Sequence, residues 1–264
     1  MAKRSALKPR GATRAAIGAT RAHAPRASAP PRTGRIEGLD AARGVAIVAM
    51  TVYHFCFDLR YFGVTHWDFE HDIRWLGARA AILSSFLLIA GTSAVLANRQ
   101  ASPLAHWLRH IGVIALAALL VTAGSYLMFP RSFIWFGVLH AIALSLLLAK
   151  PLLPRPLLAA LAGIAMIAGG LLYSNPLFDG RTLGWVGFMT TKPMTEDYVP
   201  LFPWMGVLLL GVAFGHVLVR TRFAVLAPLA RLPAALLLLG RHSLAVYLLH
   251  QPLMIGALWL LLGS

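Results

Sequence analysis

Four residues of the first apolar stretch, Asp40, Arg43, His54 and Asp58, are of types that can do chemistry. At 100° per residue they fall at about 0°, 300°, 320° and 0° around a helix axis. All four therefore share one narrow stripe, and the rise from Asp40 to Asp58 is roughly 27 Å. Asp40 is placed to cap the helix N-terminus and to pair with Arg43 one turn later. Asp58 is placed to orient the His54 imidazole and raise its basicity, which makes the pair a candidate for proton transfer. The plainer readings are a helix cap with a snorkelling arginine and a core histidine satisfied by a neighbouring helix. Four such residues on one stripe favour function over coincidence.

The last apolar stretch holds a second group. It opens Gly240–Arg241–His242–Ser243 and runs on to His250, Gln251 and Pro252. Ser243 is a good N-cap, and Ser243, Tyr247 and His250 share a face. Free N–H groups at the helix start, with Arg241 and His242 beside them, form a candidate anion site; the alternative is ordinary positive charge at a membrane face. His250 and Gln251 suit interhelical hydrogen bonding where Pro252 can kink the helix. His71 lies between Glu70 and Asp72 in an aromatic segment bounded by Trp67 and Trp75. Neighbouring carboxylates would raise its pKa and the aromatic rings could shield it, whereas an isolated loop histidine is simply solvated. Arg131 and His140 also fall near an apolar run, where packing contacts explain them equally well.

The elements that must carry these residues are membrane helices. Of 264 residues, 58% are hydrophobic and only 12% charged. A soluble domain of this size could not hide so much apolar surface. The apolar runs predict an all-α, polytopic transmembrane bundle of about seven helices, near 39–60, 76–98, 106–128, 133–150, 156–174, 201–220 and 242–262. The run 223–240 is broken by Pro228, Arg231 and Pro233 and reads as interfacial or re-entrant, with an eighth span as the alternative. Arg99, Arg109, Lys150, Arg155, Arg220, Arg222 and Arg231 fall in alternate loops, and Asp68, Glu70, Asp72, Asp179, Glu196 and Asp197 in the others. That split predicts a cytosolic N-terminus and an outer C-terminus. No internal repeat supports an inverted-repeat transporter.

Residues 1–34 are rich in Ala, Arg and Pro and contain no acidic residue. They predict a disordered basic tail against anionic lipid, with an organelle transit peptide as the alternative. The transmembrane domain is then 35–264. With no apolar signal region before Arg35, the first helix is expected to be kept. The charge of +15 is concentrated in the tail and at helix ends, so it is no nucleic-acid signal. Cys56, the single cysteine, excludes an internal disulfide and a CxxC metal site, and no metal is expected.

Several of these segments carry a resemblance. Leu39–Asp–Ala–Ala–Arg–Gly–Val–Ala–Ile–Val–Ala–Met followed by His54 resembles the opening helix of the heparan-alpha-glucosaminide N-acetyltransferase catalytic-domain family. Phe86–Leu–Leu–Ile–Ala–Gly91–Thr–Ser, Phe136–Gly–Val–Leu–His140, Asp197–Tyr–Val–Pro–Leu–Phe–Pro–Trp204 and Gly240 through Pro252 extend it over residues 35–262. Arg43 and His54 also match the Arg-x10-His spacing of the wider membrane acyltransferase-3 group. Each motif is short, and their order along the chain gives the set its specificity.

The resemblance implies a membrane-embedded N- or O-acetyltransferase. It would take acetyl-CoA from the cytosolic side and pass the acetyl group to an amino sugar or envelope glycan on the far side. The family's catalytic histidine follows the first helix; His71 is the matching position, with about one residue of slack before Gly91. The implied catalytic set is His71, with His54 and Asp58. The implied acetyl-CoA set is Asp40, Arg43, Arg241 and Ser243. Lipid bilayer, acetyl-CoA and a glycan or amino-sugar acceptor are the expected partners, with no nucleic acid and a homodimer as one assembly. The expected location is a bacterial inner membrane, with a multi-pass chain. The lysosomal enzyme has Asn where this chain has His54, and further helices and a lumenal domain besides, so the acceptor is expected to differ. Two other classes stay open: a proton-coupled transporter using intramembrane His and Asp, and a b-type cytochrome using His54, His140 or His250.

Overall fold

The computed structural model describes residues 36–100 and 103–263; the tail read over residues 1–34 lies outside them. The long helices are α1 (Glu37–Tyr61), α2 (Ile73–Arg99), α3 (Leu104–Met128), α4 (Val138–Ala149) and α5 (Pro156–Leu172). After a one-turn α6 (Arg181–Gly184) come α7 (Leu201–Arg220), the short α8 (Ala234–Arg241) and α9 (Ser243–Leu262). Among the described residues no strand forms, and the bundle is all-α. Prolines begin several of these helices: Pro103 and Pro233 stand at the N-caps of α3 and α8, and Pro156 opens α5. Asp72 caps α2 by accepting from the Arg74 N–H. Left-handed backbone at Arg222 and Phe223 ends α7.

Each of the seven expected spans coincides with a helix, and the helices differ in length. α1, α2, α3, α7 and α9 are long and apolar enough to cross a membrane; α4 and α5 are apolar but shorter. α4 starts at Val138 rather than near 133 because the segment before it is bound to a distant loop: Glu196 N–H donates to Ser132 O at 2.8 Å and Val199 N–H to Phe136 O at 3.1 Å. The broken run forms two short helical pieces, Ala224–Arg231 and Ala234–Arg241, bent by 113°, which accords with a re-entrant or interfacial segment.

The tight core is α7 held between α2 and α5 around Leu87, Val95, Leu208, Leu209 and Val212. Lipid tails are as apolar as these side chains, so close packing must hold helices together in a bilayer. Gly211 faces the Leu88 backbone and Gly163 faces Gly206, which lets the helix axes approach. A second close contact joins α8 to α1. A Cβ on Gly240 would stand 2.8 Å from the Asp40 carbonyl carbon and 2.9 Å from Gly44 N. Between α1 and α9 on one side and α3 and α4 on the other runs a cavity of about 1390 Å³, with α2 also in its wall.

Candidate functional site

At the end of the cavity where α1 begins, Asp40 is buried. Arg43 Nη1 donates to Asp40 Oδ1 at 2.8 Å, and Arg43 Nη2 donates to Ser93 Oγ on α2 at 2.9 Å. Arg241 Nε lies 3.5 Å from Asp40 Oδ2. The close seating of Gly240 on α1 therefore brings Arg241 to the same carboxylate as Arg43. Asp40 sits within the first turn of α1, whose N-cap is Ile36, so it is an ion-pair centre and not the expected cap. Ser243 is also not a cap: α9 starts at it, and His242 occupies the cap position without a side-chain bond. Arg241 ends α8 and does not open α9. Ser243 and both arginines nonetheless line the cavity. Near them, Lys150 Nζ sits 4.6 Å over the Trp107 ring and donates to Asn98 Oδ1 at 3.1 Å. The buried Trp107 indole N–H has no hydrogen-bond partner among the described residues.

Further along α1, the His54 and His250 rings meet edge-on at 5.1 Å. Asp58 does not take His54 as its partner. Its Oδ1 accepts from Gln251 Nε2 of α9 at 2.6 Å, because the facing helix supplies an amide donor where the stripe points. Asp58 is buried, and its Oδ2 is without a partner among the described residues, as are Gln251 Oε1 and His250 Nε2. Arg79 of α2 lines the same region and donates to Tyr198 O at 3.2 Å.

At the opposite end, His71 lines the cavity mouth in the α1–α2 loop. The backbone N–H groups of Glu70 and His71 donate to Asp68 Oδ1 at 2.9 and 3.0 Å, and this turn fixes the histidine. Its Nδ1 is 3.1 Å from Asp68 Oδ2, and since a carboxylate only accepts, that nitrogen carries the proton. The two backbone donors, with the imidazole, hold the Asp68 carboxyl below the usual carboxylate range. The expected carboxylates are not the partners: Asp72 is engaged by Arg74 at 2.7 Å. Nor do aromatic rings shield His71, whose side chain is 81% exposed. Phe69 turns inward instead, packing 4.2 Å from the Trp75 ring and against Tyr53 and Phe57.

Residues 192–197 of the loop before α7 complete this mouth. Asp197 Oδ2 accepts from Val138 N–H at 2.8 Å and so holds the start of α4. Burial pushes its carboxyl above the usual range, partly offset by Arg79. Ser132 donates to Glu196, and Thr195 to Phe133 O at 2.8 Å. His140 is accounted for by packing. Thr122 gives its proton to Ile134 O and accepts from His140 Nε2, whose Nδ1 accepts from Gly137 N–H. Arg131 does not line the cavity.

The structure thus joins Arg43, Arg241 and Ser243 at one end, His54 and Asp58 in the middle and His71 at the other end in one cavity, with Asp40 behind the two arginines. Sequence reasoning passed over Arg79, although a cation inside an apolar run is a functional signal by itself. It also passed over Trp107, which nothing in its local pattern marks.

No curated protein and no solved structure matches this chain. The family model described as heparan-alpha-glucosaminide N-acetyltransferase, catalytic, matches residues 35–252, which hold every one of these cavity groups. With its long apolar helices and these ionisable groups set in a cavity between them, the chain is an integral membrane protein that belongs to this family of transmembrane acetyltransferases.

Proposed function

We propose that this protein takes an acetyl group from acetyl-CoA on the cytosolic side and delivers it to an amino sugar or envelope glycan on the far side. The observation that carries this reading is the continuous cavity, which has cationic donors at one end and His71 at the other. Arg43 and Arg241 are suited to the CoA phosphates, since guanidinium forks match phosphate oxygens. Asp40 holds both and keeps them from repelling one another. Ser243 lies beside them at the start of α9. The pantetheine arm would follow the α1 stripe, with its thioester near His54 and Asp58.

His71, with His54 and Asp58, serves the transfer as general base toward the acceptor or as transient carrier of the acetyl group. The exposure of His71 suits a group that meets an acceptor arriving from water. The cavity exceeds the roughly 300–1,000 Å³ of single-ligand pockets, which suits a long donor and an acceptor together. The cytosolic N-terminus and a bacterial inner membrane belong to the same proposal, on the split between basic and acidic loops.

The test is acetyl-CoA turnover in proteoliposomes by wild-type protein and His71→Ala, together with mass spectrometry of envelope glycans from cells with and without the protein. The expected results are loss of turnover in the variant and a glycan change of one acetyl group. Undiminished turnover removes His71 from the mechanism. Uptake of solute without acetyl-CoA consumption would instead favour a permease.

A further inference from the structure

The middle of the cavity contains a group to which the proposed transfer gives no role. His250 is buried on α9 and lines the cavity. Its Nδ1 is 2.7 Å from Tyr247 O, one turn back along the helix. A carbonyl oxygen can only accept, so Nδ1 carries the ring proton and Nε2 presents a lone pair. That lone pair has no partner among the described residues. Two further atoms are in the same condition. Gln251 must turn its Nε2 toward Asp58, which leaves Oε1 free, and Asp58 Oδ2 is free as well. The three orphaned atoms, on His250, Gln251 and Asp58, are all buried acceptors. Buried acceptors without donors are costly, and a cluster of them suits a donor-rich group.

We propose that His250, through Nε2, is the base that removes the proton from the acceptor's amine or hydroxyl during transfer, with Asp58 and Gln251 accepting the group's remaining hydrogen bonds. This rests on the acetyltransferase reading and replaces one part of it: the base is His250 within the bundle rather than His71, and His71→Ala then loses turnover because His71 receives the acceptor at the mouth. As the nucleophile's lone pair forms its bond to the thioester carbon, its N–H or O–H proton passes to Nε2. The C–S bond breaks, the electron pair leaves on the CoA sulfur, and the imidazolium returns the proton to that thiolate. The Tyr247 carbonyl stabilises the imidazolium through Nδ1–H, and the neighbouring His54 ring forms the wall on the α1 side.

The experiment uses the full chain in proteoliposomes with acetyl-CoA and glucosamine, measuring CoA release and, separately, CoA affinity. His250→Asn keeps an amide able to donate to the Tyr247 carbonyl but has no basic nitrogen. It is expected to bind CoA as wild type does, with kcat lower by about 100-fold or more. His250→Ala is expected to fall as far and to regain turnover when imidazole is added. Turnover within a few-fold of wild type in either variant overturns the proposal. So does a loss shared with CoA affinity, or one that imidazole does not restore, since each assigns His250 to packing. Wild-type protein that releases no CoA overturns the acetyltransferase reading and this inference together, whereas active wild type with an active His250→Asn overturns this inference alone.

Discussion

The seating of α8 on α1 places Arg241 beside Asp40, so Gly240→Ala tests whether that seating builds the donor end. The added Cβ would lie 2.8 Å from the Asp40 carbonyl carbon and 2.9 Å from Gly44 N, and it would overlap the Asp40 carbonyl oxygen. These are backbone atoms of a long helix and cannot swing aside. Carbon contacts relax near 3.5–4.0 Å, so α8 must retreat by about 1 Å. Arg241 Nε, now 3.5 Å from Asp40 Oδ2, then passes beyond ion-pair distance. Because the Arg241 side chain is 40% exposed, the pair contributes at most about 1 kcal/mol. The larger cost is overpacking, about 1–3 kcal/mol. Replacing a helical glycine by alanine returns about 1 kcal/mol of helix propensity. The net loss is therefore at most about 3 kcal/mol, and about 1–2 kcal/mol at the middle of the range. Gly77→Ala and Gly112→Ala are the controls: both glycines are helical with nothing within 4 Å of an added Cβ, so each should be neutral or stabilised. Thermal unfolding in detergent and CoA affinity are the assays. Gly240→Ala should melt several degrees below either control and bind CoA more weakly. If it matches Gly112→Ala in both, the close approach does not position Arg241 and the reasoning fails.

Arg43→Ala should raise the KM for acetyl-CoA by about tenfold, or about 1.4 kcal/mol, because it removes one cation and the bond to Ser93. Arg43→Lys should restore little, since an ammonium cannot reach Asp40 and Ser93 with one planar fork. Gln251→Leu should destabilise by about 1.5–3 kcal/mol, because the buried Asp58 carboxyl loses its amide donor; a double-mutant cycle with Asp58→Leu should show coupling of at least about 0.5 kcal/mol, and strict additivity would deny the contact. The loops between α1 and α2 and between α5 and α7 should respond to pH with two opposite signs. Asp68, Asp72 and Asp179 have lowered pKa values in the folded chain, so their contribution is present above the ordinary carboxylate value near ~4 and is lost as pH falls through their folded values. Asp197 is raised by burial, so its contribution is complete below the ordinary value and is lost as pH rises through its folded one. Hydrogen exchange across residues 64–72 and 175–200 should show the first, and Asp197→Asn should flatten the second; an unchanged profile in that variant would refute it.

How much of the molecule the sequence made legible depends on the range of the interactions involved. The apolar runs gave six helices to within a few residues, because membrane helices satisfy their own backbone and need no partner to be recognised. α4 was misplaced at its start because its boundary is set by Asp197, which caps it from across the chain. The α1 stripe was legible because helical periodicity alone puts Asp40, Arg43, His54 and Asp58 together. Their partners were not. Asp58 bonds Gln251, 193 positions away, and Arg43 bonds Ser93 on another helix, so no local spacing announces either bond. The pairing of His71 with Asp68 was within reach of the sequence. The adjacent carboxylates drew attention from the one three residues back, which alone can accept the turn's backbone donors.

The distribution of polar groups also explains how a bundle made mostly of apolar helices holds ionisable side chains in its interior. The most extensive glycine-mediated packing lies where α7 meets α2 and α5, and a smaller glycine contact, Gly240 of α8 on α1, lies at the Asp40 end of the cavity. The site is built on α1, α8 and α9, and α9 buries little beyond His250 and Leu258. Apolar contact alone would not fix the rotation of such a helix, since its neighbours and lipid offer similar surroundings to leucine. The Gln251–Asp58 bond and the His54–His250 contact do fix it, because a polar group turned toward hydrocarbon would lose its partner at a cost of several kcal/mol. The residues suited to chemistry are therefore also the ones that set the register of α9 against α1. This makes a conservative substitution such as His250→Asn more informative than truncation, for it separates the two roles that one side chain performs.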